Sequence, residues 1–298
     1  MDHRHTPSGI CLIVGCGYVG TRLALRLRET VPVLAWVRRT TSVDHLTAVG
    51  LPARAVDFDQ VVTEALALPS DLAAVVYLAP PSGVGREDQR LARCLQALGA
   101  TRPGVFLYMS TTGVYGDTGG ASVDEDSPLA PREDRSHQRM DAERRVAAWC
   151  IEHGARAVCL RVPAIYGPHR LPLERLQRGE PVLRDEDSGP GNRIQVDDLV
   201  DACLTALARP VSGAFNLTDG APESMAAFTT RVAAEAGLPV PRRITWAEAQ
   251  TELSPGLLSF LRESRRVTTR RGAELGWTPR YADPAEGIRA SLREMDSG

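Results

Sequence analysis

The segment STTGVYG, residues 110–116, ends an apolar run with hydroxyl groups whose chemistry suits a reaction site. A hydroxyl at a strand end can hydrogen-bond a substrate carbonyl or alcohol and orient it for hydride transfer. Thr111 is our candidate for that role, and Tyr115, four residues later, is a second catalytic candidate. Strand residues alternate faces, so Ser110 and Thr112 should point away from Thr111. Thr112 is nevertheless a candidate substrate contact.

The segment RSHQRMDAE, residues 135–143, places Arg135 and Arg139 four positions apart, which keeps both on one face of a helix. Arginine has a pKa above about 12, so neither side chain can exchange a proton near neutrality. His137 has a suitable pKa range. Two positions along a helix correspond to a rotation of about 200°, however, which turns His137 away from both arginines. We expect His137 to be a solvated helix residue unless the helix begins after it.

The motif GCGYVG follows an apolar run and opens a helical pattern. Gly15 permits a tight turn, Gly17 lets a pyrophosphate approach the backbone, and Gly20 allows close packing of helix on strand. The helix N-terminus attracts the anion, so Tyr18 and Val19 are also candidate cofactor contacts. This spacing in a strand–turn–helix context predicts a dinucleotide site.

The second apolar run, VPVLAWV, indicates which dinucleotide binds. NAD sites usually carry an acidic residue near this point, about 20 residues past the first glycine, for the ribose 2′-hydroxyl. Here the run is followed by Arg38 and Arg39, which suit a 2′-phosphate through charge-assisted hydrogen bonds. Ordinary surface arginines are the alternative. We therefore predict that NADP(H) is preferred, with NAD(H) possible.

Alternation of apolar runs with helical patterns provides the elements that must position these residues. The predicted strands span residues 10–14, 31–37, 53–58, 73–79, 104–110 and 156–162, and the predicted helices 18–29, 86–98, 139–153, 198–209 and 224–237. Such alternation predicts an α/β fold with a Rossmann-type, doubly wound parallel sheet.

After about residue 163 this alternation is interrupted by proline-rich and polar stretches. We predict a flexible tail at 1–8 and an NAD(P)-binding Rossmann domain at 9–165, to which segments around 192–220 return. Residues 166–298 should mostly form a small substrate-binding lobe.

Composition excludes several functional classes. The formal net charge is -2, which does not suggest nucleic-acid binding. All 35 Lys and Arg residues are arginine, so no Walker A loop or Schiff-base lysine is possible. Six cysteines without a CxxC pair suggest reduced thiols in a cytoplasmic protein, with no metal site. The longest early apolar run is too short to span a membrane.

Beyond these motifs, the chain resembles the extended short-chain dehydrogenase/reductase superfamily, in particular NAD-dependent epimerase/dehydratase-like proteins. The resemblance covers nearly the whole chain. It is carried, in order, by GCGYVG, VDF, YLAPP, STTGVYG, LRVPAIYGP, NRIQVDD, FNLTDG and ELGWTPRYADPAEGI. It implies contacts with the adenine for Asp57 and Phe58, with the cofactor ribose for Ala79 and Pro80, and with the nicotinamide for Pro163, Ala164 and Ile165.

The resemblance also implies that Thr111 is the catalytic Ser/Thr of the family. Typical members carry a Tyr and a Lys four apart on the next helix, but Arg135 and Arg139 stand there in this chain. Arg139 retains a positive charge for the cofactor ribose, and Arg135 is a candidate for holding a substrate carboxylate or phosphate. The usual proton donor is absent.

Replacement proton donors remain open in Tyr115, Tyr166 and His169, and Tyr166 is also a candidate substrate contact. Arg193 stands where relatives contact a substrate phosphate, although a surface salt bridge is an equal alternative. The two carboxylates of sugar-nucleotide dehydratases are replaced by Thr112 and Gly113, which disfavours ordinary dehydratase chemistry.

The sequence thus predicts an NADP(H)-dependent oxidoreductase of atypical active site, acting on a small-molecule carbonyl or alcohol. A non-catalytic NADP(H)-binding or sensing protein and a sugar-nucleotide epimerase with a substituted base are the alternatives. By analogy with relatives, the protein should be a monomer or a homodimer.

Overall fold

A parallel β-sheet lies at the centre of the computed structural model, which describes residues 9–60, 66 and 68–297. The predicted tail at 1–8 lies outside the described residues. The strands, in chain order, are β1 (Ile10–Val14), β2 (Val33–Val37), β3 (Ala53–Ala55), β4 (Leu72–Tyr77), β5 (Val105–Thr111), β6 (Ser122–Val123), β7 (Arg156–Val162), β8 (Ala164–Tyr166), β9 (Val182–Leu183), β10 (Pro190–Gly191), β11 (Arg193–Gln195), β12 (Gly213–Asn216), β13 (Glu223–Ser224), β14 (Arg243–Ile244) and β15 (Arg266–Val267).

Helices connect most of these strands. They are α1 (Tyr18–Leu27), α2 (Thr40–Ala48), α3 (Gln89–Leu98), α4 (Asp134–His153), α5 (Leu173–Gln177), α6 (Val196–Ala208), α7 (Met225–Glu235), α8 (Trp246–Glu252), α9 (Pro255–Leu261), α10 (Gly272–Leu275) and α11 (Pro284–Ser297).

The central sheet has the strand order β12–β7–β5–β4–β1–β2–β3, and every neighbouring pair is parallel. The chain crosses from β3 to β4, on the other side of β1, so the strand order reverses beside β1. In open α/β sheets, ligands bind at the carboxyl ends of the strands at such a switch point. The glycine turn after β1 lies there.

Hydrophobic residues cover both faces of this sheet, because parallel strands are buried on both sides. Along β1, Ile13 faces a core that includes Leu23 of α1 and Leu199 of α6. Its neighbour Leu12 faces the opposite core with residues of α3 and α4, among them Leu91. This confirms the predicted α/β, Rossmann-type fold.

Two predicted boundaries differ from the structure in ways that affect the site. Helix α4 begins at Asp134 rather than at residue 139, so Arg135 and His137 both lie within it. Strand β3 ends at Ala55, and Asp57 and Phe58 therefore follow the strand rather than belong to it.

The C-terminal part of the chain forms smaller apolar clusters outside the sheet. One cluster joins α5, α7 and α11 around Phe228 and Ile288, and another joins α8 and α9 to Ile244. Strand β12 and helix α6, from the segment 192–220, pack instead on the central sheet. The division into a Rossmann domain and a lobe stays a prediction, since Leu275 also packs in the sheet core.

Candidate active site

Three glycines shape the turn between β1 and α1. Gly15 has φ +87°, and a Cβ there would lie 2.4 Å from the backbone nitrogen of Ala79, so only glycine fits. A Cβ on Gly17 would meet nothing within 4 Å, which leaves open space over the backbone. Gly20 packs close to Leu78 and Ile13. These are the three separate requirements of a dinucleotide turn.

The N-terminus of α1 has no side-chain cap, because its first residue is preceded by Gly17. Its first backbone N–H groups are therefore suited to a phosphate oxygen. The Tyr18 hydroxyl donates to the carbonyl of Pro168 at 2.9 Å, and the Val19 side chain is buried in the sheet core. The side chains of Tyr18 and Val19 are therefore engaged by the protein itself, and the predicted cofactor contacts of these two residues would be made mainly by their backbone N–H groups.

The two arginines after β2 lie exposed at the carboxyl edge of the sheet. Arg38 contacts Asp59 through one guanidinium nitrogen at 3.4 Å, and Arg39 precedes α2 as its N-cap residue. Asp59 is already held by Arg90 through two hydrogen bonds of 2.5 and 2.6 Å. The carboxylate is therefore largely neutralised by Arg90, which leaves positive charge on Arg38 and Arg39.

The predicted adenine contacts behave differently from each other. Asp57 is half-buried and accepts a hydrogen bond from the backbone of Asp59 at 2.9 Å. The Phe58 side chain is buried in the core against Trp36, with ring centroids 6.0 Å apart. Phe58 therefore does not present its ring to a ligand, because hydrophobic burial holds it behind the strand, and only its backbone is available.

A cavity of about 400 Å³ lies at the carboxyl ends of β4, β5 and β7, between the sheet and the C-terminal segments. Its polar lining comes from both parts of the chain. The residues that bound it include Pro80, Pro81, Thr111, Thr112, Arg135, Ser136, Arg139, Pro163, Ala164, Ser188, Asn192, Arg193, Met225, Phe260, Glu263 and Arg265. Eight of the predicted site residues thus meet in one space: Pro80, Thr111, Thr112, Arg135, Arg139, Pro163, Ala164 and Arg193. Ile165 instead packs against the sheet core.

Thr111 is the last residue of β5 and caps a short 3₁₀ helix at 112–115. Its hydroxyl oxygen accepts a hydrogen bond from the backbone N–H of Gly113 at 3.1 Å. Because that bond uses an oxygen lone pair, the hydroxyl proton remains available to a ligand. Thr111 therefore has the geometry of a hydrogen-bond donor to a substrate oxygen.

Helix α4 presents Arg139 and Arg135 to the same cavity. Arg139 donates to the carbonyl of Met109 at 2.6 Å and contacts the Tyr108 hydroxyl at 3.3 Å. Arg135 lies nearer the surface, 3.5 Å from the Ser259 hydroxyl. In the described part of the chain neither arginine forms an ion pair, so both keep their charge for a ligand.

Tyr115 points away from the cavity, contrary to its prediction as a catalytic residue. Its hydroxyl donates to Asn216 at 2.8 Å and accepts from Arg161 at 2.9 Å. Arg161 in turn forms a buried ion pair with Glu143 at 2.8 Å. Burial raises the pKa of Tyr115, although Arg161 opposes the shift. Its side chain has become part of a structural network instead.

Tyr166 is also not in the cavity, which corrects its prediction as a substrate contact and proton donor. It is buried in the cluster of α7 and α11, where its ring packs edge-on against Phe228. His169 likewise lies elsewhere, its backbone N–H contacting the Met295 sulfur at 3.3 Å. His137 lies inside α4, is half-buried rather than fully solvated, and is not among the described residues that line the cavity.

Arg193 carries a buried positive charge at the wall of the cavity. Its strand β11 pairs with β8, placing Arg193 opposite Ala164. The guanidinium donates to the carbonyl of Glu223 at 3.1 Å and stacks over Phe228 at 4.3 Å. Within the described residues it has no ion-pair partner, and burial lowers its pKa. A buried guanidinium without a carboxylate suits an anionic ligand, and this placement excludes the alternative of a surface salt bridge.

Sequence reasoning missed the residues that the C-terminal segment contributes. Glu263 and Arg265 line the cavity and form an ion pair with each other, and Asn192 lies beside them. No motif surrounds Glu263 or Arg265 that would have indicated a role. Asn192 is part of NRIQVDD, from which only Arg193 was selected.

A model of the NAD dependent epimerase/dehydratase family matches residues 11–218. The chain belongs to this family. The match covers the glycine turn, Thr111, Arg135, Arg139 and Arg193. It confirms the resemblance and the interpretation as an epimerase/dehydratase-like protein.

Curated relatives are similar over short stretches. A dTDP-D-glucose 4,6-dehydratase of Homo sapiens is 28% identical over 116 residues, which are 36% of this chain and 33% of that protein. A dTDP-glucose 4,6-dehydratase of Streptomyces niveus is 33% identical over 78 residues, 26% of this chain and 23% of that protein. The matches therefore span about a third or less of the curated relatives.

Solved structures are similar over almost the full chain. A functionally unknown conserved protein from Silicibacter pomeroyi has a TM-score of 0.84 and 27% identity, covering 96% of this chain and 99% of that one. UDP-glucuronic acid 4-epimerase from Bacillus cereus, solved in complex with NAD, has a TM-score of 0.77 and 16% identity, covering 97% and 99%. At the latter identity the likeness concerns the fold.

The described residues contain neither a helix that could span a membrane nor a group of side chains that could hold a metal ion. None of the helices there is both long and apolar enough to cross a membrane. No group of three or more His, Cys, Asp or Glu side chains in those same ranges is arranged to hold a metal ion. All six cysteines are unpaired thiols.

Proposed function

We propose that the protein is an NADP(H)-dependent oxidoreductase acting on a small carbonyl or alcohol compound that carries a carboxylate or phosphate. One observation carries this proposal above the others. The cavity at the end of β5 combines the Thr111 hydroxyl with three guanidiniums, from Arg135, Arg139 and Arg193, that form no ion pair among the described residues. A hydrogen-bond donor for the reacting oxygen therefore lies in a space whose charge favours an anion.

The cofactor would lie along the carboxyl edge of the sheet. The open backbone at Gly17 and the uncapped start of α1 fit a pyrophosphate, and Arg38 and Arg39 fit a 2′-phosphate. When bound, the nicotinamide dinucleotide supplies or accepts the hydride. The Bacillus cereus relative holds NAD, so NAD(H) remains the second choice of cofactor.

The substrate would occupy the cavity itself. Thr111 would hold the reacting oxygen, and Arg139 would lie beside it with its positive charge toward the nicotinamide ribose. Arg135 and Arg193 would hold the anionic group of the substrate through charge-assisted hydrogen bonds. Binding the anion on two guanidiniums would fix the orientation of the carbonyl carbon, and positioning of this kind contributes to catalysis.

Two alternatives have support of their own. The absence of a tyrosine from the described cavity lining favours a non-catalytic NADP(H)-binding or sensing protein. The names of the relatives favour a sugar-nucleotide epimerase with a substituted base. Such an epimerase would retain tightly held NAD rather than exchange NADPH.

Binding and turnover together distinguish the three. The purified protein is titrated with NADPH and NADH, and a panel of 2-oxo acids and sugar phosphates is then tested for NADPH oxidation. The proposal expects tighter binding of NADPH and oxidation by at least one member of the panel. Tight NADPH binding without turnover would favour the sensor, and NAD retained through gel filtration would favour the epimerase.

A further inference from the structure

The charged lining of the cavity contains one carboxylate among the described residues. Four arginines line it, and none of them can exchange a proton near neutrality. Glu263 is the remaining titratable side chain of that lining. If a proton moves to or from a substrate oxygen in this space, a carboxyl group of the C-terminal segment is the side chain able to exchange it.

The Glu263 side chain is nine-tenths buried, and only one of its two carboxylate oxygens accepts a hydrogen bond among the described residues. Its side chain is 10% exposed and that of Arg265 is 11% exposed. Oε2 accepts from Arg265, whereas Oε1 is buried without a hydrogen-bond partner among the described residues. A buried carboxylate oxygen without a donor is costly, and such exceptions often mark a functional group. Protein atoms cover this oxygen, so a substrate hydroxyl would supply the missing donor only if the carboxylate turns toward the cavity when substrate binds.

Backbone hydrogen bonds fix the position of Glu263. The next residue, Ser264, donates from its backbone N–H to Asp117 at 3.0 Å. Its carbonyl accepts from the backbone N–H groups of Thr118 and Gly120, both at 3.1 Å. The segment is therefore held against the loop that follows the 3₁₀ helix, and that helix begins directly after Thr111.

Hydrogen bonds also fix the position of Arg265, which forms the ion pair with Glu263. Arg265 donates from Nε to the carbonyl of Gly116 at 2.6 Å and from its backbone to Pro190 at 3.1 Å. Asn192 donates to the Arg265 carbonyl at 3.0 Å. The carboxylate is consequently pre-positioned, as a group acting in proton transfer must be.

We propose that Glu263 exchanges the proton with the substrate oxygen held by Thr111, in place of the tyrosine that typical members carry at the position of Arg135. The inference rests on the proposed function. In the oxidation direction the substrate O–H bond breaks and its proton passes to a Glu263 oxygen. The carbinol C–H bond breaks and its electron pair leaves as hydride to the oxidised nicotinamide dinucleotide. The alcohol becomes a carbonyl, and the reverse direction returns the same proton.

The first test uses sulfate, which does not titrate between pH 5 and pH 8, and needs neither cofactor nor substrate. An anion beside a carboxylate favours its protonated form, so sulfate binding should be coupled to proton uptake. Calorimetry at pH 5.5 in buffers of different ionisation enthalpy measures this uptake. The wild type should take up a fraction of a proton, and Glu263→Gln should take up less while binding sulfate more tightly.

Two control variants test which carboxyl group takes up the proton when sulfate binds. Asp219 donates from its backbone N–H to the Arg193 carbonyl at 2.9 Å, and burial raises the pKa of its carboxyl to about 6, so Asp219→Asn tests whether it accounts for the uptake. Glu274→Gln removes an exposed glutamate that is paired with Arg271 just as Glu263 is paired with Arg265. Both controls should retain the uptake. Its absence from the wild type, or its loss in Asp219→Asn alone, would overturn the inference.

The second test concerns turnover of whichever panel compound the wild type reduces with NADPH. Glu263→Gln should lower kcat at least about 100-fold, the lower end of the range for general acid–base catalysis, and change KM little. Glu263→Asp should keep part of the wild-type kcat. The control Glu274→Gln should keep all of it. If Glu263→Gln is folded, binds NADPH and keeps the wild-type kcat, the inference is wrong but the proposed function stands. A wild type that binds NADPH and reduces no panel compound contradicts both.

Discussion

Arg139 donates a hydrogen bond of 2.6 Å to the carbonyl of Met109, two residues before Thr111 on β5. The guanidinium therefore lies directly beside the strand end that carries the candidate catalytic hydroxyl. It also lies over the Tyr108 ring at 5.7 Å. These contacts hold a positive charge beside the end of β5, at the position where the resemblance predicts a lysine in typical family members.

Replacing Arg139 by alanine should weaken NADPH binding by about 1–3 kcal/mol, the range for charge-assisted hydrogen bonds. The reason is that the guanidinium would contact the nicotinamide ribose. Fluorescence titration measures the affinity. Arg144→Ala is the matched control on the same helix, since its side chain is 78% exposed. Unchanged affinity in Arg139→Ala would place the cofactor elsewhere.

Arg135→Ala should leave NADPH affinity intact and raise KM for the anionic substrate. Arg135 lies at the outer side of the cavity, near Ser259, whereas Arg139 lies beside β5. Steady-state kinetics with the substrate varied at saturating NADPH measures the effect. An equal loss of NADPH affinity in the two variants would contradict the division of roles between them.

Thr111→Val should lower kcat much more than it weakens NADPH binding. Valine keeps the shape of threonine but loses the hydroxyl that would hold the reacting oxygen. The same change removes the cap to Gly113, so a stability loss of about 0.5–2 kcal/mol is expected and must be measured by urea unfolding. Thr111→Ser should restore most of the turnover. A fully active Thr111→Val would reduce this residue to a structural strand end.

The double variant Arg38→Ala/Arg39→Ala should lose the preference for NADPH over NADH. In the wild type we expect that preference to be at least about tenfold, or about 1.4 kcal/mol. Arg54→Ala, an exposed arginine on the neighbouring strand β3, is the control. Parallel titrations with both dinucleotides decide the matter. Equal affinities in the wild type would make both residues ordinary surface arginines.

Asp219 should make stability depend on pH. Burial raises its pKa from 3.8 to about 6, so between these values the folded state binds more protons than the unfolded state. Stability should therefore fall as pH rises from 4 to 6, and the full cost should be present above pH 6. Asp219→Asn should be more stable than wild type by about 1–3 kcal/mol at pH 7.5 and nearly equal at pH 4. Urea unfolding at both pH values measures this, and a pH-independent difference would contradict it.

Local patterns in the sequence were enough to predict the fold, the glycine turn and the arginines of α4 that line the cavity. Glycine spacing after an apolar run requires one backbone geometry, and Gly15 and Gly17 have it. Helical periodicity required Arg135 and Arg139 to share a face, and both line the cavity. These predictions succeeded because each depends on residues that are near one another in the chain.

Tertiary structure alone decided which other side chains reach the cavity. Tyr115 is turned away because Arg161 and Asn216, on other strands, satisfy its hydroxyl. Glu263 is brought in because hydrogen bonds from a distant loop hold Ser264. Such contacts join residues far apart in sequence, and no local pattern records them. The sequence therefore determined where the hydroxyl and the arginines would meet, and long-range packing determined which carboxylate residue lines the same cavity.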